Sequence, residues 1–331
     1  MSRIFVTRRG RLLRIVAACA VLLALIGYGI AQLVTGGPGA PRCTVRADGA
    51  SYALSPEQAV NAATISAVGA ERGLPERAVT IALATAMQES GLRNIHHGDR
   101  DSLGLFQQRP TQGWGTAQQI TDPVYASGKF YDHLVQVPGY SRLPLTVAAQ
   151  KVQRSGFPQA YAKHEPDASL LSSALTGREA AAFTCTTSPS DGKKGDVSAV
   201  RAKLRREFGT AAVPAADTLA AGSGSGAGVA GGVAARTLSV PVPEKSPGPG
   251  EPAEGARERR GWQLASWAVA HATELRIERV SFGGRVWTAA DSRKGWLADK
   301  DAKDTKSAKG PAGPGNSAGN ASLEVRITTA P

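Results

Sequence analysis

The longest apolar run comes first. Residues 15–34 carry no charge and only Gln32 is strongly polar, while Arg8, Arg9, Arg11 and Arg14 precede them. About 20 such residues in a helix span a bilayer core, and basic residues ahead of the span hold the N-terminus in the cytoplasm. The pattern predicts a basic cytoplasmic tail over 1–14, a transmembrane helix over 15–34, and a single-pass protein of the cell membrane with the bulk of the chain extracytoplasmic. Cleavage after Ala31 is the rival reading, because Gly29 and Ala31 are small. The run is longer than the apolar part of a usual signal peptide, which favours a retained anchor.

Helical periodicity follows. Ser55-Pro56-Glu57 reads as a cap with proline in the first turn, and Ala59, Ala62, Ala63, Ala67 and Ala70 form a small-residue stripe ending near Gly73. Pro75 starts a second helix whose run from Ala78 to Met87 is almost wholly apolar, so it is expected to be buried on most sides, with Gly91 as a left-handed stop. Asp122-Pro123, Pro144 and Pro158 open further helices. The predicted architecture for 43–186 is mainly α, helix after helix with scraps of strand near 103–107.

Beyond Thr186 the pattern dissolves. Residues 187–258 read as a flexible linker containing one short basic helix, VSAVRAKLRREF. Order resumes in a small α+β domain over 259–331. There Leu264, Trp267, Ala268, His271 and Leu275 share a helical face, Gly283-Gly284 marks a hairpin, and Val325 and Ile327 alternate with polar neighbours in a third strand. A solvated insertion, 301–319, interrupts it. Trp262, Trp267, Trp287 and Trp296 are read as core, with sugar stacking the alternative.

The composition adds a partner class. A formal charge of +12 suits an anionic partner, but there is no aromatic-studded basic helix, zinc-knuckle spacing or RNA-recognition signature. Wall polymers or lipid head groups account for the charge equally well, and nucleic acid is not expected. Cys43 and Cys185 bracket the helical region in a chain whose anchor would put them in an oxidising compartment, so they are expected to form a disulfide. Cys19 lies inside the apolar run. No cofactor is implied, and His96-His97 lacks the further ligands of a metal site.

The candidate chemistry lies between residues 86 and 110. Glu89 sits where a buried helix ends beside a polar loop, and both burial and a helix C-terminus disfavour a carboxylate anion, as a general acid requires. Glu89-Ser90-Gly91-Leu92 followed by Gly104-Leu105-Phe106-Gln107 resembles the signatures of soluble lytic transglycosylases of the lysozyme-like superfamily. Trp114-Gly115, Asp122-Pro123 and the stretch from Ala149 to Tyr161 are similar to a secreted actinobacterial branch. The resemblance covers about residues 50–170. Where the family usually has an AYNAG-like segment lining the sugar site, this chain has Ala148-Ala149-Gln150-Lys151-Val152.

The resemblance implies cleavage of peptidoglycan glycan strands between N-acetylmuramic acid and N-acetylglucosamine. Glu89 would be the single catalytic carboxylate, Ser90 its hydrogen-bond partner, and Gln107 and Tyr161 contacts to acetamido sugars. Trp114 is a candidate stacking wall, with burial in the core the equal alternative. Asp101 is the candidate second carboxylate should the reaction be hydrolysis, although it and Asp99 lie in a stretch of turn composition. The alternative is a non-catalytic wall-binding or scaffold protein.

Overall fold

The computed structural model describes residues 3–35, 40–187, 192–210, 213, 233–242, 255–300 and 324–331. The chain divides into two compact units, Met1–Arg42 and Cys43–Pro331. The first consists of α1 (Arg3–Thr35), whose Leu13, Ile15, Leu23 and Leu25 are exposed. Among the described residues no helix is long and apolar enough to cross a membrane. The stretch of α1 with described side chains, 13–29, includes Arg14 and falls short of the about 20 apolar residues that a crossing requires. The expected span over 15–34, and with it the single-pass membrane placement, is corrected accordingly.

The second unit begins with a hairpin, β1 (Cys43–Ala47) and β2 (Ala50–Leu54). Helix α2 (Pro56–Glu71) follows, started by a capping box in which Ser55 and Gln58 each bond the other's backbone N–H. Helix α3 (Glu76–Ser90) buries every residue from Ala78 to Met87. It stops at Gly91, whose left-handed conformation lets the N–H groups of Gly91 and Leu92 cap the carbonyls of Met87 and Ala86. Four helices complete this part: α4 (Ala117–Ile120), α5 (Pro123–Val135), α6 (Leu145–Gln153) and α7 (Glu165–Leu175). Strand β3 (Phe183–Cys185) then pairs antiparallel with β1, placing Cys185 opposite Cys43. The two cysteines form the expected disulfide.

The fold class is corrected again in the C-terminal part. Helix α8 (Val197–Phe208) is the short basic helix expected within the linker, but it packs against α2 instead of lying solvated, and strand β4 (Thr237–Pro241) lies inside the stretch expected to be linker. Then come α9 (Ala256–Ala270), α10 (Ala272–Leu275), β5 (Ile277–Phe282), β6 (Arg285–Thr288), β7 (Leu297–Ala298) and β8 (Glu324–Thr329). The sheet has five antiparallel strands in the order β4-β8-β5-β6-β7, where three were expected. Other parts of the expected linker, 188–191, 211–212, 214–232 and 243–254, lie outside the described residues, as does the expected insertion 301–319.

This sheet is not a separate domain. Helix α9 packs against β5 and β8 and also against α2, α7 and β3, and so is buried from Gly261 to Ala270. All four C-terminal tryptophans are buried, which leaves none as a sugar platform. Two of them join the halves, Trp287 and Trp296 donating their indole N–H to the carbonyls of Cys185 and Phe183, while Trp267 donates to Glu207 on α8. Gly177, at φ +79°, lies so close to α9 that an added Cβ would fall 1.9 Å from the Arg259 carbonyl oxygen. Gly177→Ala combines left-handed strain with overpacking at this seam. It should destabilise the protein by about 2–3 kcal/mol in urea unfolding.

Glu207 and His271 are buried together at the same seam. The imidazole Nδ1 lies 2.9 Å from the Trp267 carbonyl, which can only accept, so Nδ1 carries the proton. Nε2 is left without a partner, 3.7 Å from Glu207 Oε1. Burial lowers the His271 pKa, outweighing the opposing pull of Glu207 on α8 and Glu274 on α10, while Lys203 on α8 adds to the lowering. With the folded pKa depressed, stability is full above the unfolded value of about 6.5 and declines as pH falls below it, because the unfolded chain binds the proton first. His271→Asn should flatten the dependence of melting temperature on pH below that value. His133 and His164, also depressed by burial, contribute in the same direction and leave a residual slope.

Candidate active site

Glu89 projects half-buried from the last turn of α3. Beside it packs a 3-10 helix, Pro158–His164, which carries Tyr161. Tyr161 is fully buried and donates its hydroxyl to Glu89 Oε1 at 2.6 Å. Burial and then this bond to the carboxylate hold the phenol pKa well above its ordinary value. The neighbouring Ser155 side chain acts in the opposite direction. Among the described residues, no hydrogen-bond donor reaches Glu89 Oε2.

The strap that carries Ser155 is fastened by two glutamine amides. Gln150 donates to the Ser155 carbonyl at 2.8 Å, and Gln153 donates to the Phe106 carbonyl at 2.7 Å. Gln150 therefore spends its amide N–H inside the strap, at the place where the resembled family usually lines its sugar site. The ring of Phe157, next along, is 78% exposed.

The other wall is the turn over 103–108. Leu103 and Gln108 exchange backbone hydrogen bonds, closing the turn, and Ser90 docks it by donating to the Leu105 carbonyl at 2.8 Å. Ser90 also donates to the Ala86 carbonyl, so its hydroxyl ties α3 to the turn and does not bond Glu89. Phe106 stacks on Phe130 at 4.7 Å, fixing the turn to the core. Gln107 adopts φ 48° and directs its amide N–H to the carbonyls of Gly104 and His97.

Two predicted residues are engaged elsewhere. Trp114 is buried in the core, its ring 4.2 Å from that of His133 on α5. Asp101 accepts from Arg109 Nε at 2.6 Å and from both the backbone and the hydroxyl of Thr111 at 3.0 and 2.6 Å. These bonds, led by the Thr111 hydroxyl, hold its carboxyl well below the usual carboxylate range. Asp101 thus braces the loop with both oxygens. The structure brings Glu89, Tyr161, Ser90 and the Gln107 turn together. Gln153, which ties the strap to the turn, joins them without having been expected; its only signal was membership of the motif stretch 149–161.

A cavity of about 340 Å³ lies between α2, α5 and α8, and Glu89 does not line it.

The comparisons with known proteins bear on the other end of the chain. Residues 242–308 match the family model of the VldE C-terminal domain. This stretch includes α9 and β5 to β7, covers less than half of the chain and does not contain Glu89. No curated protein matches the chain. The likeness of residues 50–170 to lytic transglycosylases therefore rests on their motifs.

Proposed function

We propose that the chain cleaves peptidoglycan glycan strands between N-acetylmuramic acid and N-acetylglucosamine, by the anhydro-forming route, with Glu89 as the only catalytic carboxylate. The observation that carries this is the bond from buried Tyr161 to Glu89 Oε1, which orients the carboxyl and leaves Oε2 for substrate. In this mechanism Glu89 gives its proton to the glycosidic oxygen as the bond to C1 breaks. The resulting carboxylate then takes the proton of the C6 hydroxyl as that oxygen closes onto C1. Glu89 is thereby reprotonated, and no water or second carboxylate is consumed. The engagement of Asp101 by Arg109 and Thr111 supports this route over hydrolysis assisted by that residue.

Tyr161→Phe tests the positioning role. Loss of the bond to Glu89 should lower kcat about tenfold, with KM nearly unchanged. An unchanged kcat would remove Tyr161 from the account. A second reading, a wall-binding protein without turnover, is favoured by one observation: Gln150 turns its amide inward to Ser155. Digestion of purified peptidoglycan with analysis for anhydro-muropeptides separates the two.

A further inference from the structure

The cavity between α2, α5 and α8 has a volume of about 340 Å³, in the range of small-molecule sites. Val68, Val124 and the ring of Tyr125 give it an apolar surface, around which charged side chains are arranged. Most of these charges are already matched. Arg72 pairs with Asp132 at 2.7 Å, Arg206 pairs with Asp122, and Glu207 receives Trp267 and Lys203. Two wall charges remain without an ion-pair partner among the described residues: Glu71, at the end of α2, and Lys129, on α5, with its ammonium 5.7 Å from the centre of the Tyr125 ring. They are opposite in sign and are held on different helices.

A ligand that satisfies this wall carries one cationic and one anionic group on a short apolar frame. We propose that the cavity binds a zwitterionic amino acid or short peptide, its free ammonium against Glu71, its carboxylate against Lys129 and its apolar body over Val68, Val124 and Tyr125. The site is separate from Glu89 and does not rest on the glycan-cleaving reading. Neither charge is expected to be needed for folding, since Glu71 is exposed and Lys129 half-buried.

Calorimetric titration of the full chain with alanylalanine, its N-acetyl form and its C-terminal amide tests this without altering the protein. The free dipeptide should bind saturably, and each blocked form should bind about tenfold more weakly, the loss expected for one charged hydrogen bond. Glu71→Gln should weaken the free dipeptide by a similar factor and the N-acetyl form no further; Lys129→Gln should do the same for the amide. Absence of saturable binding up to about 10 mM would overturn the proposal, because even millimolar affinity would register there. Blocked forms binding as tightly as the free dipeptide would overturn it as well, as would two folded variants that bind like the wild type.

Discussion

Glu89→Gln should lower glycan cleavage by about a hundredfold to ten-thousandfold, the usual cost of losing general acid catalysis, while leaving strand binding and melting temperature nearly unchanged. The amide oxygen of glutamine can still accept the Tyr161 hydroxyl that Oε1 accepts now at 2.6 Å, so the packing of the 3-10 helix on α3 is kept. What is lost is the proton. Asp101→Asn should act differently, because this carboxylate braces Arg109 and Thr111. Its replacement should loosen the loop before the Trp114 region and reduce activity modestly, with the product unchanged. A large loss at Asp101 together with products bearing reducing ends would favour hydrolysis with a second carboxylate.

Removing the Cys43–Cys185 disulfide should be the most destabilising covalent change. The bond joins residues separated by 142 positions and closes a loop around the whole of the half that carries Glu89. In the chain-entropy treatment a loop of that length stabilises the fold by about 4–5 kcal/mol. The cost extends to the C-terminal half, because the Cys185 carbonyl accepts the Trp287 indole and the neighbouring Phe183 carbonyl accepts that of Trp296. Cys43→Ala with Cys185→Ala should therefore lower the denaturant midpoint of both halves in one transition. An unchanged midpoint, or loss of only the N-terminal half, would contradict the coupling described here.

The parts of the fold that were legible in the sequence are those fixed by local chemistry. Ser55-Pro56 and Gly91 bound α2 and α3 because caps and left-handed stops act within one turn. Gly283-Gly284 placed the β5–β6 hairpin for the same reason. The attachment of the C-terminal half was not legible, because it depends on contacts between residues about a hundred positions apart that leave no periodicity. Helix α8 illustrates this: Val200, Leu204 and Phe208 form a buried stripe, but Arg201, Arg205 and Arg206 between them make the segment read as solvated. Strand β4 is five residues long in a stretch rich in alanine and glycine, too short to stand out. At the site, the motifs pointed to Glu89 and Tyr161 but not to their bond, which forms only when the strap folds back onto α3.

The central claim, that one carboxylate does both proton transfers, is tested most directly by the chemical form of the cleaved strand end. Purified full-length protein incubated with peptidoglycan should release muropeptides ending in 1,6-anhydro-N-acetylmuramic acid, identified by mass spectrometry as one water lighter than reducing-end products. The Glu89→Gln protein should release none. Reducing-end products from the wild type would contradict the single-carboxylate route, and glycan strands bound but left uncut by the wild type would contradict the enzymatic reading itself.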